Sequence, residues 1–383
     1  MDSRTLRKLQ QLKRQGPQDI NLNPLQRGGL LYPESRQALL EWADGYSICD
    51  FCDGRLDQIK RPPIADFVHT LLPEFLDIDV VRVTHGAREG KFVVMHAICQ
   101  PDDTIVIDGN AHYSTYVAAE RRRLRIRAVP NTGYPGFVIR PEAYMQAIEE
   151  TIRDTGKPPA LVVLTYPDGS YGNLVNAKQV AEIAHAYQIP FLLNAAYAMG
   201  RMPLSARELD CDFIVGSGHK SMAASGPIGI LGMKESFSAR VLQRSTAAPS
   251  KEVELLGCTA RGAAMVTLMA SFPSVVQRVT TWEQEIVQTQ WFARELEQLG
   301  LKPLGETPHH HDLLFIETPI FYQISQRHSK KRFFLYHELK QRGISGIKAG
   351  LTRNFKVSTY RLDKSDLEHV ITAFKDIIEQ NAP

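Results

Sequence analysis

Several short runs in this chain are apolar almost without a break, rather than at alternate positions. They fall at 80–84, 104–107, 160–165, 190–193 and 213–216. A strand with one wet face alternates between polar and apolar residues, whereas a strand covered on both faces does not. Helix-length segments at 141–154 and 176–188 lie between these runs. Strand, helix and strand at this spacing predict an α/β fold with a large, mainly parallel sheet.

The pattern changes after Gly229-Ile230-Leu231-Gly232-Met233. Long helical periodicity follows over 261–299 and carries Trp282 and Trp291. An α+β tail comes next, with strands expected at 313–317 and 355–359 and helices near 330–342 and 364–380. We therefore expect an N-terminal arm (1–55), a large domain (56–250) and a smaller C-terminal α+β domain (251–383). Within the arm, residues 4–15 are basic, and Leu6, Leu9 and Leu12 would share one face of a short helix. Residues 16–35 are rich in Pro, Gly and Asn and read as irregular.

Composition narrows the function classes. The 383 residues carry 45 Lys+Arg against 42 Asp+Glu, a net charge of +3. That balance argues against a protein held on polyanions by bulk charge, and leaves room for a local basic face. No run reaches the ~18 apolar residues of a membrane span. The first residues are charged and lack the apolar core of a secretory signal, so a cytoplasmic protein is expected. There the five cysteines would stay reduced, as candidates for redox or metal chemistry rather than staples.

Four polar clusters stand at the ends of the expected strands. Val215-Gly216-Ser217-Gly218-His219-Lys220-Ser221 places one lysine in a turn of small residues. A lysine desolvated there is suited to Schiff-base chemistry. Thr84-His85-Gly86-Ala87-Arg88-Glu89-Gly90 combines a helix start with Gly and Arg, which suits a phosphate. In Asp108-Gly109-Asn110-Ala111-His112-Tyr113-Ser114 the His112 ring could stack on a planar group. Phe191-Leu192-Leu193-Asn194 ends a strand on an amide. Taken singly, each cluster also fits an ordinary turn. All four lie at carboxyl ends of parallel strands, where open α/β sheets bind ligands. Amine, phosphate cradle and ring together suggest pyridoxal phosphate.

The chain resembles the fold-type I pyridoxal-phosphate transferases. It is most similar to the archaeal O-phosphoseryl-tRNA:cysteinyl-tRNA synthase family. The resemblance spans nearly the whole length. It rests on the clusters at 84–90 and 217–221, on Asn21-Leu22-Asn23-Pro24-Leu25-Gln26-Arg27-Gly28-Gly29, on Cys49-Asp50-Phe51-Cys52, and on Gly257-Cys258-Thr259-Ala260-Arg261-Gly262. It implies that Lys220 bonds the cofactor aldehyde. It further implies that Ala87, Arg88, Ser217, Gly218 and His219 hold the cofactor phosphate, that His112 stacks on the ring, and that Asn194 faces the pyridine nitrogen. Most enzymes of this fold carry Asp at that last position. A neutral amide makes a weaker electron sink, which suits β-elimination of a good leaving group better than transamination.

The resemblance also implies that Cys49, Cys52 and Cys258 are sulfur-relay thiols, carrying a persulfide or holding an iron–sulfur cluster. A separate metal site is not expected. Cys99 and Cys211 read as packing residues. His309-His310-His311 reads as a solvated loop, because three consecutive side chains on a strand cannot face one way.

The implied reaction is β-elimination of phosphate from O-phosphoseryl-tRNA(Cys), then addition of sulfur to the aminoacrylate left behind, giving cysteinyl-tRNA(Cys). Arg82, Arg261 and Arg353 are candidate substrate residues, for the departing phosphate or the tRNA end. The run Arg121-Arg122-Arg123-Leu124-Arg125-Ile126-Arg127 is the densest basic stretch available to RNA. A homodimer is expected by analogy with the fold, as is a complex with the phosphoseryl-tRNA synthetase. The competing possibility is an enzyme of the same fold resembling cysteine desulfurases or selenocysteine lyases and acting on a free amino acid.

Overall fold

A computed structural model describes residues 19–44, 49–50 and 64–381. Cys52 and the basic segment 4–15 lie outside the described residues. The chain divides into two compact units. The larger comprises residues 28–291 and 304–315, and the smaller comprises residues up to 27, 292–303 and 316 onward.

The larger unit is built on a seven-stranded sheet. Its strands are β1 (Val80–Thr84), β2 (Thr104–Asp108), β3 (Arg125–Val129), β4 (Leu161–Thr165), β5 (Phe191–Asn194), β6 (Phe213–Ser217) and β7 (Gly229–Met233). The spatial order is β1-β7-β6-β5-β4-β2-β3. Strands β2 to β6 pair in parallel, and β7 runs antiparallel to both of its neighbours. The five expected runs are all strands. β3 is an addition. Its alternation of Arg with apolar residues marks an edge strand, one that looked like a basic stretch alone.

The apolar runs are continuous because successive side chains enter two different cores. Val106, Val162, Leu164, Leu193 and Ile214 pack on one face. Ile105, Ile107, Leu161, Val163, Leu192 and Phe213 pack on the other. All eleven are fully buried, each worth ~1.5–3 kcal/mol of burial. A charge such as Val163→Asp would find no wet side to turn to.

The helices of this unit include α1 (Pro33–Glu41), α2 (Ala87–Ile98), α3 (Tyr113–Arg121), α4 (Pro141–Thr155), α5 (Ala177–Ala186) and α6 (Ala263–Val279). α1 begins in the last residues of the stretch expected to be irregular, and Pro33 occupies its first turn, where proline is tolerated. Ser35 of α1 donates to the Thr267 carbonyl of α6 at 3.3 Å, and Met265 and Leu268 belong to the large core. The unit boundary therefore falls at 291/292 instead of near 250, because the first long helix after the sheet packs inward.

In the smaller unit, Ile20–Asn21 pairs in parallel with Ile344–Ser345, and Arg27 donates to the Tyr360 carbonyl at 2.9 Å. Phe321, Phe334, Phe355 and Phe374 form its aromatic core. Its last helix, Lys364–Gln380, opens with a capping box between Asp363 and Asp366, which satisfies two otherwise unpaired N–H groups. No helix among the described residues is long and apolar enough to cross a membrane.

Candidate active site

β6 ends at Ser217, and the chain turns at once through Gly218 and His219 to Lys220. The half-buried Lys220 amine lies 3.8 Å from the centroid of the Tyr197 ring. Burial, reinforced by the nearby positive charges of Arg201 and Lys91, brings its pKa down from 10.5 to about 7. An amine poised there is an effective nucleophile and proton acceptor near neutral pH. Arg201 is fully buried and is fixed by Asp312 at 2.9 Å and Ser221 at 2.8 Å.

Sheet register brings the other clusters to the same edge. Gly229 of β7 is the register partner of both Thr84 and Ser217. Asn194 is partnered by Val215 on one side and Thr165 on the other. Thr84 leads into Gly86, whose φ of +125° only glycine adopts without strain. The Thr84 hydroxyl donates to the Gly86 carbonyl at 3.0 Å and fixes the turn. Gly229 lies directly beneath: a Cβ there would sit 2.3 Å from the Gly86 carbonyl carbon and 2.6 Å from the Ala87 nitrogen. The first turn of α2, at Ala87 and Arg88, presents N–H groups with no helical acceptor. Ser217 and His219 contact each other at 3.3 Å, and His219 meets the Ile228 backbone at 3.0 Å. Burial pushes the His219 pKa below its usual value. This geometry is suited to an anion.

Asn194 ends β5 with 3% exposure, and its amide oxygen has no hydrogen-bond partner among the described residues. Such an atom costs ~1–3 kcal/mol unless a ligand satisfies it. His112 caps α3, its Nδ1 accepting from the Ser114 N–H at 3.2 Å. Lys91 and Tyr197 were not singled out from the sequence. Nothing local marks Lys91, on an otherwise ordinary helix, as 1% exposed. The aromatic three residues after Asn194 was the one available signal for Tyr197.

The cysteines are organised by side chains. Thr259 donates to Asp50 at 2.6 Å, which ties the residue after Cys258 to the residue after Cys49. His69 pairs with Asp50 at 3.3 Å, and these bonds hold the Asp50 carboxyl below its usual pKa despite its burial. Lys251 donates to the Cys258 sulfur at 3.4 Å. Cys49 is 4% exposed and Cys258 is half-buried. Cys99 and Cys211 are core residues, and burial pushes the Cys99 thiol up to about 12 and the Cys211 thiol higher still. Among the described residues no group of three or more His, Cys, Asp or Glu is placed to hold a metal, so nothing described supports an iron–sulfur cluster.

A family model described as O-phosphoseryl-tRNA(Sec) selenium transferase matches residues 96–379. The chain is 55% identical to O-phospho-L-seryl-tRNA:Cys-tRNA synthase 1 of Methanocella arvoryzae over 378 residues, 98% of each chain. It is 53% identical to the synthase of Methanothermobacter thermautotrophicus, covering 95% of this chain and 96% of the relative. The chain belongs to the O-phospho-L-seryl-tRNA:Cys-tRNA synthase family. A solved complex described as SepCysS with the N-terminal domain of SepCysE aligns at a TM-score of 0.92, with 47% identity and 100% coverage of both chains. A cysteine desulfurase from Thermococcus onnurineus NA1 aligns at 0.73, with 15% identity and 95% coverage of both chains. At that identity the desulfurase shows the fold alone, which is that of the fold-type I pyridoxal-phosphate transferases.

Within this synthase fold the predicted arginines scatter. Arg82 is engaged by the buried Glu252 at 2.9 Å, so it is committed to an ion pair. Arg261 is exposed on the loop before α6. Arg353 belongs to the smaller unit, where it packs 4.1 Å from the Tyr322 ring centroid. The basic run is largely structural. Arg121 covers Phe92, Arg122 caps the Cys99 carbonyl at 2.8 Å, and Arg127 pairs with Glu150 and Asp154. Arg123 and Arg125 remain exposed. His309 and His311 correct the expectation of a solvated loop. They are 7% and 1% exposed, and burial lowers both pKa values to about 4. The triplet precedes strand Leu313–Glu317, so its alternate side chains turn inward while His310 stays out.

Proposed function

We propose that this enzyme converts O-phosphoseryl-tRNA(Cys) to cysteinyl-tRNA(Cys) with pyridoxal phosphate. The observation that carries the proposal is the Lys220 amine, lowered to about 7, on a sheet edge that is also suited to an anion and holds a buried, unsatisfied Asn194 oxygen. The residues fit the cofactor. Ala87, Arg88, Ser217, Gly218 and His219 would hold its phosphate, His112 its ring face and Asn194 its ring nitrogen. When bound, the cofactor would withdraw electrons from the substrate α-carbon and ease loss of the α-proton and the β-phosphate.

Lys220 would take the α-proton at Nζ. Burial and the nearby charges of Arg201 and Lys91 hold the proton affinity of that amine low. Phosphate leaves with the electron pair of the Cβ–O bond, and sulfur bonds to Cβ. In the persulfide route the outer sulfur carried on one of Cys49, Cys52 and Cys258 bonds to Cβ, a second of these thiols breaks the S–S bond, and the disulfide left between the two is reduced by an external dithiol; with sulfide as donor the sulfur bonds to Cβ directly and no disulfide forms. The Asp50–Thr259 bond supports this by tying two of the three segments together. A homodimer is supported by exposed apolar residues, Tyr113 and Val117 of α3 and Leu256, which are 62%, 54% and 90% exposed. A cytoplasmic enzyme that receives its substrate directly from the phosphoseryl-tRNA synthetase accords with the same reading.

The test is incubation of the pyridoxal-phosphate-loaded enzyme with phosphoseryl-tRNA and sulfide, followed by release and analysis of the amino acid. Cysteine is expected, and Lys220→Ala should lower its formation by about 10³-fold or more. Unchanged phosphoserine, or equal turnover of free phosphoserine, would overturn the proposal.

A further inference from the structure

α2 carries a second low-pKa lysine that the proposed reaction does not use. Lys91 is 1% exposed. Its Nζ donates to Ser114 Oγ and to Thr115 Oγ1, both at 2.8 Å. Both acceptors are buried in the first turn of α3. Burial lowers the Lys91 pKa to about 7, against an opposing pull from the Asp108 carboxylate. The two bonds survive either protonation state, since a neutral amine still has two N–H donors.

Ser114 passes this interaction on. Its Oγ lies 2.8 Å from His112 Nδ1, and its backbone N–H donates to the same nitrogen at 3.2 Å. A backbone N–H can only donate, so Nδ1 carries no proton. The Ser114 hydroxyl must then also donate to Nδ1, and its oxygen lone pairs are left for Lys91. Directionality is consistent along the whole chain: Lys91 Nζ–H to Ser114 Oγ, then Ser114 Oγ–H to His112 Nδ1. The remaining imidazole proton is on Nε2.

We propose that Lys91 is a positioning residue that acts through Ser114 to reinforce the Nε2–H tautomer that the Ser114 backbone N–H already favours at His112, and to fix its ring plane. The relay joins α2, whose first turn is suited to an anion, to the cap of α3. Its consequence for turnover rests on the assignment of His112 to the cofactor face. The tautomer itself does not.

The test is therefore made first on the full chain without cofactor. Long-range ¹H–¹⁵N spectra of protein labelled at imidazole nitrogen, with His112 assigned by comparison with His112→Gln, report the tautomer directly. Wild type should show Nε2–H at His112. Lys91→Met, which keeps length and burial, should give a mixed or exchange-broadened His112 signal and leave the other histidines unmoved. Ser114→Ala should do the same, and Ser114→Thr should restore the wild-type pattern. In the loaded enzyme, Lys91→Met should lower kcat about tenfold, near the worth of one hydrogen bond, with KM for the charged tRNA unchanged. An Nδ1–H signal in wild type, or a single unaltered Nε2–H signal in both Lys91→Met and Ser114→Ala, overturns the relay. Loss of conversion with the relay intact would count against the proposed function instead.

Discussion

The lysine edge and the cysteine loops are positioned by different physics. At the lysine edge, backbone register does the work: Thr84, Gly229 and Ser217 lie in one row, and Val215, Asn194 and Thr165 in another. Behind them is a core buried on both faces of the sheet. The cysteine segments sit on connections held by individual side-chain bonds, Asp50 to Thr259 and Lys251 to Cys258. Leu256, beside Cys258 in this loop, is 90% exposed in a left-handed conformation. A cofactor that must be gripped at phosphate, ring and aldehyde needs the first kind of support. A thiol with the sulfur-carrying role proposed above suits the second, which can open locally without unfolding the sheet.

The sharpest way to break this comparison is at the sheet. Gly229→Ala would drive a Cβ to 2.3 Å from the Gly86 carbonyl carbon, displacing the first turn of α2. We expect roughly 10²-fold loss of turnover and loss of cofactor on dialysis, while Cys258 alkylates at its wild-type rate. Retention of cofactor by this variant would mean that register does not set the cradle.

An intermediate effect is expected at the loops. Asp50→Ala removes the acceptor of Thr259 and the partner of His69. Local opening of residues 251–262 should become easier by about 1.5–3 kcal/mol, visible as faster hydrogen exchange there. Exchange at 213–220 should stay unchanged. Equal loosening of both regions would show that they form one cooperative piece.

The same contrast explains what was legible in the sequence. The strands of the lysine edge announced themselves because residues such as Ile105, Val106 and Ile107 are apolar in succession, a signature local to each strand. The clusters at their ends followed from where parallel strands place ligands. What escaped depends on partners distant in sequence. Arg82 looked free to meet phosphate because Glu252, which claims it, is 170 residues away. Lys91 looked like any helical lysine because its acceptors are on another helix. The run 121–127 displayed its charge and hid an edge strand.

The smallest effect concerns that run. Arg123→Ala and Arg125→Ala should each weaken tRNA binding modestly and lower the salt slope by about 1. Arg122→Ala should instead act on stability, since it uncaps the α2 carboxyl end. Salt slopes that respond to Arg122 but not to Arg123 or Arg125 would reverse this division.

The central claim is that Lys220, held at the sheet edge, is the reactive amine at neutral pH. It is tested most directly by trapping pyridoxal phosphate on the apoprotein with borohydride over a range of pH and locating the adduct by mass spectrometry. Because the Lys220 pKa is lowered from 10.5 to about 7, its amine loses its proton near neutrality. Trapping at Lys220 should therefore rise through pH 7 and level off above it. An adduct that forms mainly at Lys91, or trapping that increases only toward pH 10.5, would contradict the account.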